Sequence, residues 1–170
     1  VEYSQLMQSE GLKFIYEEAR RQKPYCSMAI NWCFQEPWPT AANNSLINWP
    51  NDPKPAYHQV AGSLRPVLAS LRAPKFEWSE GERFTFDLFL LNDAYEQHDK
   101  LKIKVFLRYD NKETEVFTWD CPGAEPFENA QVPNIQFDLP QMNANLFTIT
   151  LKAENHAEYN SSYTFVYKKK

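Results

Sequence analysis

Pro66 divides this chain by the period of its apolar residues. Beyond it, Phe84, Phe86, Leu88 and Leu90 alternate with Thr85, Asp87 and Phe89, and Ile103, Val105 and Leu107 alternate with Lys102, Lys104 and Arg108. Successive side chains on a strand point to opposite faces, so such alternation puts one face in a core and the other in water, as two packed antiparallel sheets require. Seven short runs of strand character follow one another, at 67–71, 83–91, 101–109, 114–119, 134–139, 146–153 and 162–167. Ser79-Glu80-Gly81, Asn92-Asp93-Ala94 and Pro122-Gly123 separate them with turn chemistry. The spacing predicts a mainly β chain, with a seven-stranded immunoglobulin-like β-sandwich over 66–170 rather than a barrel or propeller.

Residues 1–65 follow another pattern. Leu6, Met7, Leu12, Phe14, Ile15 and Ala19 recur at helical spacing over 4–22, which predicts an amphipathic helix with Ser4 as N-cap, Arg20, Arg21 and Lys23 at its C-terminal end, and Pro24 as its stop. Cys26 to Phe34 is a mostly apolar run without polar alternation, which predicts a strand buried on both faces. Prolines and asparagines fill 35–55 and predict a long ordered loop. Pro55 then opens a second helix reaching about Leu64, with Tyr57, Val60, Ala61 and Leu64 on one side. A helix feeding a buried strand is the step of a parallel α/β fold, and one such strand needs neighbours.

Composition removes several function classes. The net charge is −4 and the basic run Lys168-Lys169-Lys170 is terminal, so nucleic acid is not an expected partner. No apolar stretch reaches about 18 residues, so a membrane is not expected either. Cys26, Cys33 and Cys121 are odd in number and lack Cys-x-x-Cys spacing, and His58, His98 and His156 have no ligand-like neighbours. Neither metal nor cofactor is predicted, and the cysteines read as buried thiols. The compartment is not legible; a periplasmic or secreted parent is the expectation.

Several local sequences recur together in one known family. Ser9-Glu10-Gly11-Leu12, Glu17-Glu18-Ala19-Arg20-Arg21, Ile30-Asn31-Trp32, Trp38-Pro39, Trp49 and Lys54-Pro55-Ala56-Tyr57, in that order and followed by a sandwich, resemble the C-terminal part of glycoside hydrolase family 2, in its β-mannosidase-like branch. The resemblance implies that 1–65 is the end of a catalytic (β/α)₈ barrel: last helix, strand eight at 26–32, mouth loop and closing helix. It implies further barrel strands and sandwich domains N-terminal to Val1, where the two glutamates of a retaining mechanism, about 5–5.5 Å apart, would lie. The chain alone is then expected to be inactive. Where the family reads Trp-Gln-Leu-Asn-Asp before Trp-Pro, this sequence has Trp32-Cys33-Phe34-Gln35-Glu36-Pro37-Trp38-Pro39, so Gln35-Glu36 replaces the Asn-Asp pair.

The candidate site residues follow from that placement. Trp32 offers a flat apolar floor for a pyranose ring, Glu36 a hydrogen-bond acceptor at the mouth, and Trp38 and Trp49 walls of the pocket for an oligosaccharide substrate. No catalytic residue is assigned within the chain. Asn31 reads as a satisfied interior group. Two other functions compete. One is a non-catalytic carbohydrate-binding sandwich, with Trp78 and Trp119 as its aromatics; the other is a structural sandwich that braces a barrel. If 26–34 lacks its neighbours, its exposed apolar residues predict self-association or local rearrangement there.

Overall fold

The computed structural model describes residues 1–169. It contains two compact units, Val1–Arg65 and a second that begins at Pro66.

The first unit opens with helix α1, Glu2–Arg21, whose last turn carries Arg20 and Arg21 where the helix dipole favours cations. Ser4 is not the N-cap. It lies inside the first turn, its hydroxyl donating to the Val1 carbonyl at 2.7 Å, and Val1 takes the cap position. The buried stripe of α1 is also not the apolar one: Ser9, Glu10, Lys13, Glu17 and Arg21 are inside, whereas Met7 and Ile15 are exposed. Charged groups tolerate this burial because they satisfy one another. Arg21 donates to Glu17 at 2.8 Å and to Glu18 at 3.1 Å, and the Ser63 hydroxyl donates to Glu17 at 3.3 Å. Burial holds the Lys13 pKa below its ordinary value, against the opposing pull of Glu17 and Glu10.

The run 26–34 forms no strand. A strand takes its backbone hydrogen bonds from a neighbour, and no described strand pairs with 26–34, whose last residue alone is tied to the following loop through its carbonyl. Met28, Ile30, Trp32 and Phe34 are correspondingly exposed. Asn31 is no interior group; its amide donates locally to the Cys33 carbonyl at 3.2 Å. Cys33 is exposed and Cys26 half-buried, so of the three free thiols only Cys121 fits the buried expectation.

The predicted loop contains a two-residue antiparallel pair, β1 (Ile47–Asn48) with β2 (Asp52–Pro53). Helix α2, Pro55–Ser63, starts on a proline whose missing N–H falls where a helix has no internal acceptor for it. It buries Ala56, Val60 and Ser63, with Leu64 exposed, so its inward face is rotated from the one expected. Leu46, Ile47, Ala56 and Val60 form a small core, with Leu12, Tyr16 and Tyr57 against it.

In the second unit all seven predicted runs are strands: β3 (Val67–Arg72), β5 (Arg83–Asn92), β6 (Leu101–Tyr109), β7 (Lys112–Cys121), β8 (Asn129–Asp138), β9 (Leu146–Ala153) and β10 (Ser161–Lys168). An eighth, β4 (Glu77–Ser79), is short and pairs in parallel with β10. They form a five-stranded sheet of order β4-β10-β9-β6-β7 and a three-stranded sheet of order β3-β5-β8. One core unites residues from both sheets, with Phe84, Phe86, Leu88 and Leu90 from one and Ile103, Val105, Leu107, Phe147 and Ile149 from the other. Alternation fails on β3, where Val67 to Leu71 are all buried, and along the second half of β5, where Phe89 is buried with Leu68 and Leu91 in a separate cluster instead of facing water. Trp78 and Trp119 are core residues, which removes them as candidate sugar platforms.

Candidate functional site

Of the residues singled out in the first unit, Glu36, Trp38 and Trp49 sit on the loop between Phe34 and α2, and Trp32 lies just before it. The loop backbone is fastened to itself at both ends. The Leu46 and Ile47 amides donate to the Phe34 carbonyl at 3.0 and 3.1 Å, the Glu36 amide donates to the Ile47 carbonyl at 3.0 Å, and the Lys54 amide donates to the Leu46 carbonyl at 3.0 Å. The Gln35 side chain donates to the Pro50 carbonyl at 2.8 Å. From α1, the Gln8 amide reaches the carbonyls of Asn44 and Ser45 at 3.1 and 3.2 Å.

Glu36 is the centre of this lacing. It is 5% exposed, and both carboxylate oxygens are engaged: Oε2 accepts the Trp49 backbone N–H at 3.2 Å, while Oε1 accepts the Ser45 hydroxyl at 3.4 Å and lies 3.6 Å from the Lys54 ammonium. Lys54 is itself 4% exposed and donates to the Asn43 carbonyl at 2.9 Å and to Ser45 Oγ at 3.0 Å. Sequence reasoning gave neither Lys54 nor Ser45 a role in the site. Lys54 had one available signal, its place before the helix-opening Pro55; Ser45 had none.

The three tryptophans present a different surface. Trp32 is 77% exposed, Trp38 64% and Trp49 48%. The structure joins Trp49 to Glu36 through the Trp49 backbone, leaving its ring outward. Among the described residues no ring contact links Trp32, Trp38 and Trp49; the adjacent aromatic contact is Phe34 against Tyr57, edge to face at 6.2 Å. The loop therefore holds its apolar rings at the surface and turns its carboxylate inward.

The hydrogen bond from the Trp49 N–H, aided by Lys54, holds the Glu36 carboxyl below the ordinary glutamate pKa. A carboxylate kept ionised has no proton to donate, so the geometry does not suit Glu36 for general acid catalysis near neutrality. The linkage sign follows: a depressed folded-state pKa contributes stability that is present above the unfolded value and lost as pH falls through the folded one. The Trp49 amide resonance is accordingly expected to shift with a midpoint below the ordinary glutamate value, and Glu36→Gln is expected to abolish that transition. A midpoint at the ordinary glutamate pKa would contradict the lacing. Among the described residues no group of three His, Cys, Asp or Glu side chains is placed to hold a metal ion, and no helix is long and apolar enough to cross a membrane.

No protein-family model matches the chain. Among curated proteins it is similar to β-mannosidase B of Aspergillus niger, 34% identical over 79 residues, which cover 45% of this chain and 9% of that protein. β-Mannosidase B of Aspergillus flavus is 32% identical over a stretch of the same length. The matched region is thus a small part of these relatives. Among solved structures, the exo-chitosanase of Amycolatopsis orientalis matches with a TM-score of 0.64 at 16% identity, over 98% of this chain and 19% of that one, a likeness of fold. These relatives agree with the resemblance read from the sequence: the chain is similar to the C-terminal portion of a glycoside hydrolase family 2 enzyme.

Proposed function

We propose that this chain is the C-terminal part of a retaining, exo-acting glycoside hydrolase of the β-mannosidase type, to which it contributes a wall of the substrate pocket but not the catalytic glutamates. Residues 1–65 are then the end of a (β/α)₈ barrel, and 66–170 an immunoglobulin-like sandwich with a structural role. The observation that carries the reading is a loop of exposed Trp38 and Trp49 anchored by a buried Glu36–Lys54 pair and preceded by the exposed Trp32, in a chain similar to β-mannosidases. Flat rings fixed on a laced loop suit the apolar face of a pyranose. A retaining mechanism needs two carboxylates about 5–5.5 Å apart on either side of the glycosidic bond, and Glu36 is single and turned inward.

The exposed Met28, Ile30, Trp32 and Phe34 fit the same reading. In the complete enzyme, neighbouring barrel strands would pair with 26–32 and cover Met28 and Ile30, with Trp32 at the strand's end facing the pocket; without them, the segment favours self-association. The test is Trp32→Ala in the complete enzyme. Loss of the stacking face is expected to lower kcat/KM for an aryl β-mannoside by about tenfold or more, corresponding to about 1.4 kcal/mol or more. An unchanged kcat/KM would remove Trp32 from the pocket.

A further inference from the structure

With Trp78 and Trp119 buried, the aromatic surface of the second unit lies elsewhere, at the loops that follow β5 and β7. Tyr95 is 84% exposed and Phe127 48%, and their rings meet edge to face at 4.9 Å and 87°. The two loops are held together from beneath. Asn92, fully buried, donates through Nδ2 to the carbonyls of Glu96 and Glu125, both at 2.9 Å, and its Oδ1 accepts the Ala94 N–H at 2.9 Å. The His98 and Ala124 backbones exchange hydrogen bonds at 2.9 and 3.0 Å. At Gly123 a Cβ would lie 2.1 Å from the His98 carbonyl oxygen, so only glycine allows this approach.

Phe127 sits on a tight turn in which the Glu128 N–H donates to the Glu125 carbonyl at 3.1 Å, and its φ is +60°. A glycine or asparagine ordinarily occupies such a position; here a strained backbone points a large ring into solvent beside another. The surroundings are predominantly acidic. Glu96 follows Tyr95, Glu125 and Glu128 flank the Phe127 turn, all three are exposed, and across the two loops, 93–100 and 122–128, the one lysine or arginine is Lys100, next to β6.

We infer that Tyr95 and Phe127 form a second carbohydrate-binding platform, selective for a cationic amino sugar such as a β-1,4-linked glucosamine oligomer. The rings stack on pyranose faces, and the ammonium groups meet the ring faces and the carboxylates of Glu96, Glu125 and Glu128. The platform is independent of Trp32, Trp38 and Trp49 in the first unit. Charge complementarity favours the amino sugar over a neutral one, and the paired rings favour a sugar over a basic peptide.

The test is titration of the full chain, at low salt and mildly acidic pH, with glucosamine hexamer, its fully N-acetylated counterpart and a lysine-rich peptide, followed by calorimetry and by the ring resonances of Tyr95 and Phe127. Glucosamine hexamer is expected to bind and shift those resonances, with the acetylated oligomer and the peptide each weaker by about tenfold or more. Tyr95→Ser and Phe127→Gly are each expected to cost about tenfold in affinity. The glycine variant suits the positive φ, so its fold should be retained. No binding, equal binding of the acetylated oligomer or the peptide, or unchanged affinity in both variants would overturn the assignment. Trp32→Ser separates the two sites: a loss of amino-sugar binding in that variant alone would move the ligand to the first unit and overturn the platform while leaving the pocket-wall proposal intact.

Discussion

Replacing Phe84 with alanine is expected to destabilise the β unit by about 3–5 kcal/mol, the range for truncating a buried aromatic in a well-packed core. Phe84 is fully buried at the crossing of both sheets, with ring centroids of Trp78, Phe86, Phe137, Phe147 and Phe165 between 4.6 and 5.5 Å away. Truncation removes the ring's own burial and opens a cavity that five rigid rings cannot collapse to fill. At about 4–8 °C per kcal/mol for a domain near this size, the melting temperature should fall by about 15–30 °C. Thermal unfolding followed by tryptophan fluorescence reads this through Trp78 and Trp119. A loss below about 1 kcal/mol would mean that the core is looser than a close-packed interior, so that the rings can reorganise.

The second large effect concerns α1. Glu17→Ala leaves the Arg21 guanidinium, whose side chain is 2% exposed, with only the partly exposed Glu18 carboxylate of its two described ion-pair partners. Breaking a buried pair from one side costs about 3–5 kcal/mol, and the retained Glu18 contact puts the expectation near the lower end. The Ser63 hydroxyl also loses an acceptor, which loosens the contact between α1 and α2. Hydrogen exchange of the α1 amides is the suitable readout, because it isolates the first unit from the second. Glu17→Met with Arg21→Leu should recover at least half of the loss, since the buried guanidinium is removed together with its partner while Lys13 keeps the pull of Glu10. A double variant no better than the single one would show that the pair acts through other partners.

These two sites also show what the sequence revealed and what it did not. The environment of Phe84 was legible because a strand with one wet face alternates with period two, and Phe84, Phe86, Leu88 and Leu90 keep that period. Phe89 was misplaced for the same reason: alternation assumes one wet face, and β5 buries both faces along its second half. In α1 the apolar residues do mark a face, but the buried stripe is Ser9, Glu10, Lys13, Glu17 and Arg21. Hydrophobicity cannot identify such a stripe, because what permits its burial is mutual pairing of charges, a property of geometry. Glu36 was legible as a residue of note and not as to its direction. Its inward turn depends on Lys54 and Ser45, which lie 18 and 9 residues away and are brought to it by backbone pairing between 34–36 and 46–47. The segment 26–34 shows the converse. Its apolar character reads as a buried strand, and a strand exists only where a partner supplies hydrogen bonds.

The placement of the chemistry is open to direct measurement. The purified 170-residue chain, incubated with a nitrophenyl β-mannoside, should release no nitrophenol above the buffer rate, because the two-carboxylate constellation of a retaining glycosidase is assigned to residues outside it. Release above background, abolished by substituting a carboxylate within these residues, would contradict that account and return the catalytic groups to this chain.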